Sequence, residues 1–104
     1  MIPKEAYLIC LSRKRKSPDL EVIISTNPQY SYLYARDVIK GRWEEGENII
    51  ATHIYFSYCY AKSVLKSPFH LGHPIIFSSP FKDDYLDFLK YIKYDLNEIG
   101  EWLI

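Results

Sequence analysis

The chain has 104 residues, a length that fits one small domain, and its 48% apolar content with 16% aromatics excludes an intrinsically disordered protein. Thirteen basic and thirteen acidic side chains leave no net charge, which argues against an acidic DNA mimic and against a general binder of polyanions. Ten tyrosines against one methionine point to surfaces that are half buried and half hydrated, because tyrosine packs a ring and hydrates a hydroxyl.

The opening segment, Met1 to Tyr7, lacks the long apolar stretch of a signal peptide, and no apolar run approaches the roughly 20 residues that span a bilayer. A cytoplasmic protein without membrane contact is expected. Cys10 and Cys59 each sit inside an apolar pattern and outside any C-x-x-C motif, so they read as structural thiols.

An internal repeat of 26 residues dominates the rest. Residues 26–51 align without a gap on residues 52–77, with ten identities: Thr26/Thr52, Ser31/Ser57, Tyr32/Tyr58, Tyr34/Tyr60, Ala35/Ala61, Val38/Val64, Lys40/Lys66, Gly46/Gly72, Ile49/Ile75 and Ile50/Ile76. Residues 1–25 form a degenerate first copy, in which Lys14, Glu21, Ile23 and Ile24 keep the register. Residues 78–104 open like a fourth copy at Ser79-Pro80-Phe81 and then become a plain amphipathic segment. Atypical end units are expected of stacked repeats, whose ends must face water.

Each copy reads as a helix pair. In the second copy, Asn27 suits the N-cap and Pro28 the first helical position of a helix running to Lys40. Tyr34, Ala35 and Val38 recur at helical spacing. Gly41 is expected at the left-handed position that ends this helix. Trp43 follows in the turn, and a short helix from Glu44 to Ala51 carries Ile49-Ile50. In the third copy Ser67-Pro68 serves as the stop signal. Val22-Ile23-Ile24 has strand propensity locally, but its place in the repeat makes it helical. Ala35 and Ala61 mark close helix approaches. The last helix is expected from Lys82 to about Asn97, with Ile99, Trp102, Leu103 and Ile104 as a tail that packs back.

The stretch Tyr34-Ala35-Arg36-Asp37-Val38-Ile39-Lys40-Gly41-Arg42-Trp43-Glu44-Glu45-Gly46-Glu47, followed by Ile49-Ile50, resembles the short tandem helical repeats abundant in uncharacterised proteins of tailed bacteriophages. The third copy keeps Tyr60-Ala61, Val64-Leu65, Lys66, Phe69 and Ile75-Ile76 and departs at Pro68, Leu71 and His73. The resemblance implies an early phage protein acting in the infected bacterial cytoplasm and carries no shared biochemical activity.

The polar residues offer little catalytic chemistry. Arg42 and Glu47 read as an ion pair tying the two helices of a copy, with Lys16 and Glu21 at the same offset. His70 and His73 stand three apart, but Gly72 and Pro74 interrupt the helix that zinc ligation would need. Asp83, Asp84 and Asp87 suit the start of the last helix. No P-loop, dinucleotide fingerprint or metalloprotease motif is present in the sequence, and neither a metal nor a cofactor is expected.

These readings define an all-α fold: short helix-turn-helix repeats of period 26 stacked in one small solenoid-like domain over residues 1–104, with a capping helix in 78–104. The expected function is non-enzymatic, a protein-interaction module that binds and modulates a host bacterial protein. Tyr30, Tyr32, Tyr55 and Tyr58 are its candidate anchors, provided they lie on the outer helix faces. The alternative is nucleic-acid binding along a basic edge formed by Arg13, Lys14, Arg15, Lys16, Arg36, Lys40, Lys62 and Lys66. A homo-oligomer built by end-to-end stacking is a further reading.

Overall fold

Proline at the first helical position opens each of the first three helices, where its missing N–H has no partner to lose. The computed structural model describes residues 1–103 and is helical, with no strand among the described residues. The helices are α1 (Pro3–Arg13), α2 (Pro18–Ile24), α3 (Pro28–Tyr34), α4 (Glu44–Ile50), α5 (Ile54–Cys59), α6 (His73–Phe77) and α7 (Lys82–Tyr91). A π-helical turn continues α3 over Ala35–Ile39, and another continues α5 over Tyr60–Leu65. A 3-10 turn, His70–Gly72, leads into α6, and a 3-10 segment, Leu96–Leu103, closes the chain. Val22-Ile23-Ile24 lies in α2, as its place in the sequence repeat requires.

Side-chain caps start α2, α3 and α5. Ser17 Oγ accepts from the Leu20 N–H at 3.4 Å, Asn27 Oδ1 from the Tyr30 N–H at 3.0 Å, and His53 Nδ1 from the Phe56 N–H at 3.4 Å. Each removes one of the unpaired N–H groups of a first helical turn.

Helix ends depart from the sequence expectation. The left-handed residue after α3 is Lys40 (φ 61°), not Gly41, and Lys14, Lys66 and Lys93 take the same conformation. After α1 the Arg15 N–H reaches the Cys10 carbonyl at 3.2 Å and the Lys14 N–H reaches Leu11 at 3.2 Å, a Schellman closure. Lys93 and Tyr94 close α7 in the same way, on Lys90 and Leu89. This closure stops α7 at Tyr91, short of the expected Asn97, and lets Ile92 and Tyr94 pack on the core. At the interior helices the turn is one residue wider. The Gly41 N–H bonds the Ala35 carbonyl at 3.2 Å, and the Ser67 N–H bonds Ala61 at 3.3 Å. Backbone bonding and burial of neighbouring apolar groups outweigh the roughly 1 kcal/mol strain of a left-handed lysine.

Packing follows chain order. Helix α1 lies on α2 and α3, α3 on α4 and α5, α5 on α6, and α6 on α7. Ile24, Ile50 and Ile76 have no exposed surface, nor have Ala35 and Ala61 where the helices approach. The principal extents are 43 × 22 × 18 Å, and the radius of gyration is 14.4 Å, against ~13 Å for a spherical domain of this length. In the tail, Ile99 is buried. The expected packing of the Trp102 and Leu103 side chains and of Ile104 lies outside the described residues.

Two substitutions report on this architecture in opposite directions. Lys40→Gly relieves the left-handed strain and should raise stability in urea unfolding by ~0.5–1 kcal/mol. Gly46→Ala would drive its new methyl into the Trp43 ring and to 3.3 Å from the Ser31 Cβ, lowering stability by ~1–3 kcal/mol.

Candidate functional site

The polar residues of the sequence repeat are occupied in joining helices. The Tyr60 hydroxyl accepts the Trp43 N–H at 2.9 Å and donates to Glu47 Oε2 at 2.7 Å. One copy earlier in the sequence, the Tyr34 hydroxyl accepts the Ser17 N–H at 3.4 Å and donates to Glu21 Oε2 at 2.6 Å. Ser31 Oγ donates to the Ile24 carbonyl and Ser57 Oγ to that of Ile50, both at 3.0 Å. The Tyr34 ring meets Trp43 edge-on at 4.8 Å, and Tyr60 meets Phe69 at 4.9 Å. Burial and the carboxylate bond push both tyrosine hydroxyls well above their ordinary pKa, so they remain protonated donors.

Glu47 is a buried carboxylate, 3% exposed, and Arg42 answers its charge with bonds of 2.9 and 3.0 Å. The ion pair is therefore part of the joint, as the spacing suggested. Lys16 and Glu21 form no such pair. At the third joint the partners are neutral. Tyr85 accepts the Phe69 N–H at 2.9 Å, and His73 stands at the position of Glu47. Burial and the neighbouring His70 push the His73 imidazole down to about 4, so it is uncharged at neutral pH.

The four tyrosines proposed as anchors are not equivalent. Tyr55 is 48% exposed, Tyr30 and Tyr58 are half-buried, and Tyr32 is only 6% exposed. Tyr32 therefore fails the condition of lying on an outer face; it packs against Phe56 at 5.9 Å beneath the Arg36 guanidinium. Tyr30 is drawn aside to Tyr7 at 5.8 Å. Tyr55 and Tyr58 come together with Phe56 and Phe81. Tyr55 meets Phe56 at 5.3 Å and Phe81 at 5.9 Å, and Tyr58 stacks on Phe81 at 5.5 Å. The Lys62 ammonium sits 5.7 Å from the Tyr58 ring centre. The result is an aromatic ridge across α5 and the entrance to α7, with a cation on its rim.

Sequence reading missed Phe56 and Phe81. Phe56 differs from Tyr30, its counterpart in the repeat, and Phe81 lies in the atypical end unit, so no recurrence flagged either. It missed Asp37 as well, whose carboxylate takes the Tyr7 hydroxyl at 2.6 Å and the Arg36 guanidinium at 2.7 and 3.0 Å. Those bonds hold Asp37 below the usual carboxylate range, and burial with the Asp37 bond pushes Tyr7 up to about 12.

The eight basic candidates are all exposed. Arg36 is engaged by Asp37 and Tyr32, and Lys62 by Tyr58. Lys14 and Lys40 border one recess together. Arg13, Arg15 and Lys16 border a different cleft, between α1 and α2. Cys10 and Cys59 are free thiols, and burial pushes both above their ordinary pKa, which disfavours the reactive thiolate. No described helix is long and apolar enough to cross a membrane. No known family model, curated protein or solved structure matches the chain.

Tyr60→Phe strips a buried N–H and a buried carboxylate of their shared partner and should cost ~1–3 kcal/mol in equilibrium unfolding. His73 predicts a pH dependence. Its folded pKa of about 4 lies below the ordinary 6.5, so unfolded chains take up a proton first as pH falls. The stability it contributes is complete above about pH 6.5 and declines towards pH 4, by up to ~3 kcal/mol. The urea midpoint should therefore fall more between pH 7 and pH 4.5 in the parent protein than in His73→Gln.

Proposed function

We propose that the protein is a non-enzymatic protein-interaction module whose binding surface is the aromatic ridge of Tyr55, Phe56, Tyr58 and Phe81. The reading rests above all on that ridge, four rings joined in a row by three contacts of 5.3 to 5.9 Å, one of them a tyrosine left half exposed. Tyrosine is among the side chains enriched at the energetic hot spots of protein interfaces, and Tyr55 stands 48% exposed on the ridge. Lys62 supplies the cation and suits an acidic group at the partner's rim.

The scaffold is proposed to be a small solenoid of 26-residue helix-turn-helix units, with α7 and the segment after it as the cap. Three recurrences support it. The serine-to-carbonyl bonds of Ser31 and Ser57, the tyrosine joints of Tyr34 and Tyr60, and the threonine bonds of Thr26 and Thr52 to Ile23 and Ile49 lie 26 residues apart. The 43 Å length and the packing of helices in chain order favour the same reading. In keeping with the resemblance to phage repeat proteins, the partner is proposed to be a host bacterial protein met in the cytoplasm of the infected cell.

The test compares the parent chain with Tyr55→Ala/Tyr58→Ala in tagged capture from nuclease-treated bacterial lysate. One stoichiometric protein held by the parent and lost by the variant, with both chains equally helical by circular dichroism, is the expected result. Equal capture by both would move the interface elsewhere, and capture abolished by nuclease would favour the nucleic-acid alternative.

A further inference from the structure

The run Arg13-Lys14-Arg15-Lys16 is the densest concentration of basic charge in the sequence. None of the four makes an ion pair with a described residue, in a chain of zero net charge. All four are exposed, where α1 ends and the linker to α2 begins. Three of them converge. Arg13, Arg15 and Lys16 border a cleft of about 300 Å³ between α1 and α2, with Ile9, Ser17 and Leu20 among its other walls. Lys14 turns away from them; its left-handed backbone places it at the recess beside Lys40.

The junction one copy later shows what is unusual here. There, Arg42 occupies the place of Lys16, and Glu47 neutralises it at 2.9 Å. Glu21 stands at the place of Glu47, but its carboxylate takes the Tyr34 hydroxyl at 2.6 Å and makes no ion pair with Lys16. Asp19, the other acid of α2, is exposed in its first turn. Three like charges around one cleft repel each other, and an anion placed among them removes that repulsion. Phosphate answers this arrangement best. Its oxygens match the forked donors of two arginines, and a lysine adds a point charge. Ile9 and Leu20 offer apolar surface to whatever uncharged group the phosphate carries.

We propose that the α1–α2 cleft is a phosphate-binding site for a nucleotide, free or within a nucleic-acid strand, with Arg13 and Arg15 clasping the phosphate oxygens and Lys16 completing the charge. The site shares no residue with the aromatic ridge, so the two readings stand or fall separately.

The full chain, labelled with ¹⁵N, is titrated at low salt with inorganic phosphate, with adenosine triphosphate and with a ten-nucleotide single-stranded DNA. Backbone amide shifts confined to the region from Ile9 to Leu20 are expected with at least one of the two nucleotide probes, and affinity should weaken steeply as salt rises. Arg13→Gln/Arg15→Gln/Lys16→Gln should reduce that affinity at least about tenfold with an unchanged melting temperature, while Lys82→Gln/Lys90→Gln leaves it intact. Tighter binding of the oligonucleotide than of the triphosphate assigns the site to a strand; the reverse order assigns it to a free nucleotide. Absence of shifts with every probe at low salt overturns the proposal. So does a triple variant that binds like the parent, or shifts spread equally over Lys14, Lys40 and Lys66.

Discussion

A buried tyrosine hydroxyl holding a backbone N–H on one side and a carboxylate on the other is the interaction on which the remaining packing depends. Trp43 stands at the N-cap of α4, and its side chain makes no cap bond there. Tyr60 reaches across from the next helix pair, accepts the Trp43 N–H and donates its own hydroxyl hydrogen bond to Glu47. The bond thereby satisfies a helix start, a carboxylate and a phenol in one place. Leaving any of the three unpaired away from water would cost more than the bond itself contributes. Arg42 then makes the buried charge of Glu47 tolerable.

The rest of the local geometry follows from seating that tyrosine. Its ring lies edge-on to Phe69, as the Tyr34 ring lies to Trp43. Each of these partner rings covers a glycine. A Cβ at Gly72 would come within 2.8 Å of the Phe69 ring and 3.0 Å of the Ser57 Cβ, just as Gly46 is covered by Trp43. The glycine is required by close approach, not by backbone freedom, since no glycine takes a positive φ. The third joint keeps the N–H bond to Tyr85 and exchanges the charged carboxylate for an uncharged histidine. Glu47 needs Arg42, whereas His73 needs no counter-charge, so Pro68 can replace the arginine without leaving a buried charge alone.

What the joints do not consume is what remains for partners. The aromatic ridge combines one position inside the sequence repeat, Tyr58, with residues outside its common pattern. In the basic cleft, Lys16 lacks the internal counter-ion that Arg42 has. Both proposed surfaces include positions where one copy differs from another, Phe56 against Tyr30 and Lys16 against Arg42.

Several features were legible from the chain alone. Apolar spacing and N-cap chemistry marked the helices, because hydrophobic period and first-turn hydrogen bonding are local properties. The register of recurring residues identified the buried alanines, isoleucines and the Arg42–Glu47 pair, and it overruled the strand propensity of Val22-Ile23-Ile24. Helix ends were not legible at Lys40 and Lys93. A left-handed lysine is unfavourable on its own and becomes acceptable only when the closing backbone bonds and the burial of neighbours are in place. Exposure of the tyrosines was likewise undecided, since one residue type serves as joint, core and rim. Tyr32 went inward under Arg36 and Tyr55 stayed outside against Phe81, a contact between helices far apart in sequence that no local pattern encodes. Local spacing determines which segments coil; only packing between them determines which polar atoms are used up and which side chains are left facing water.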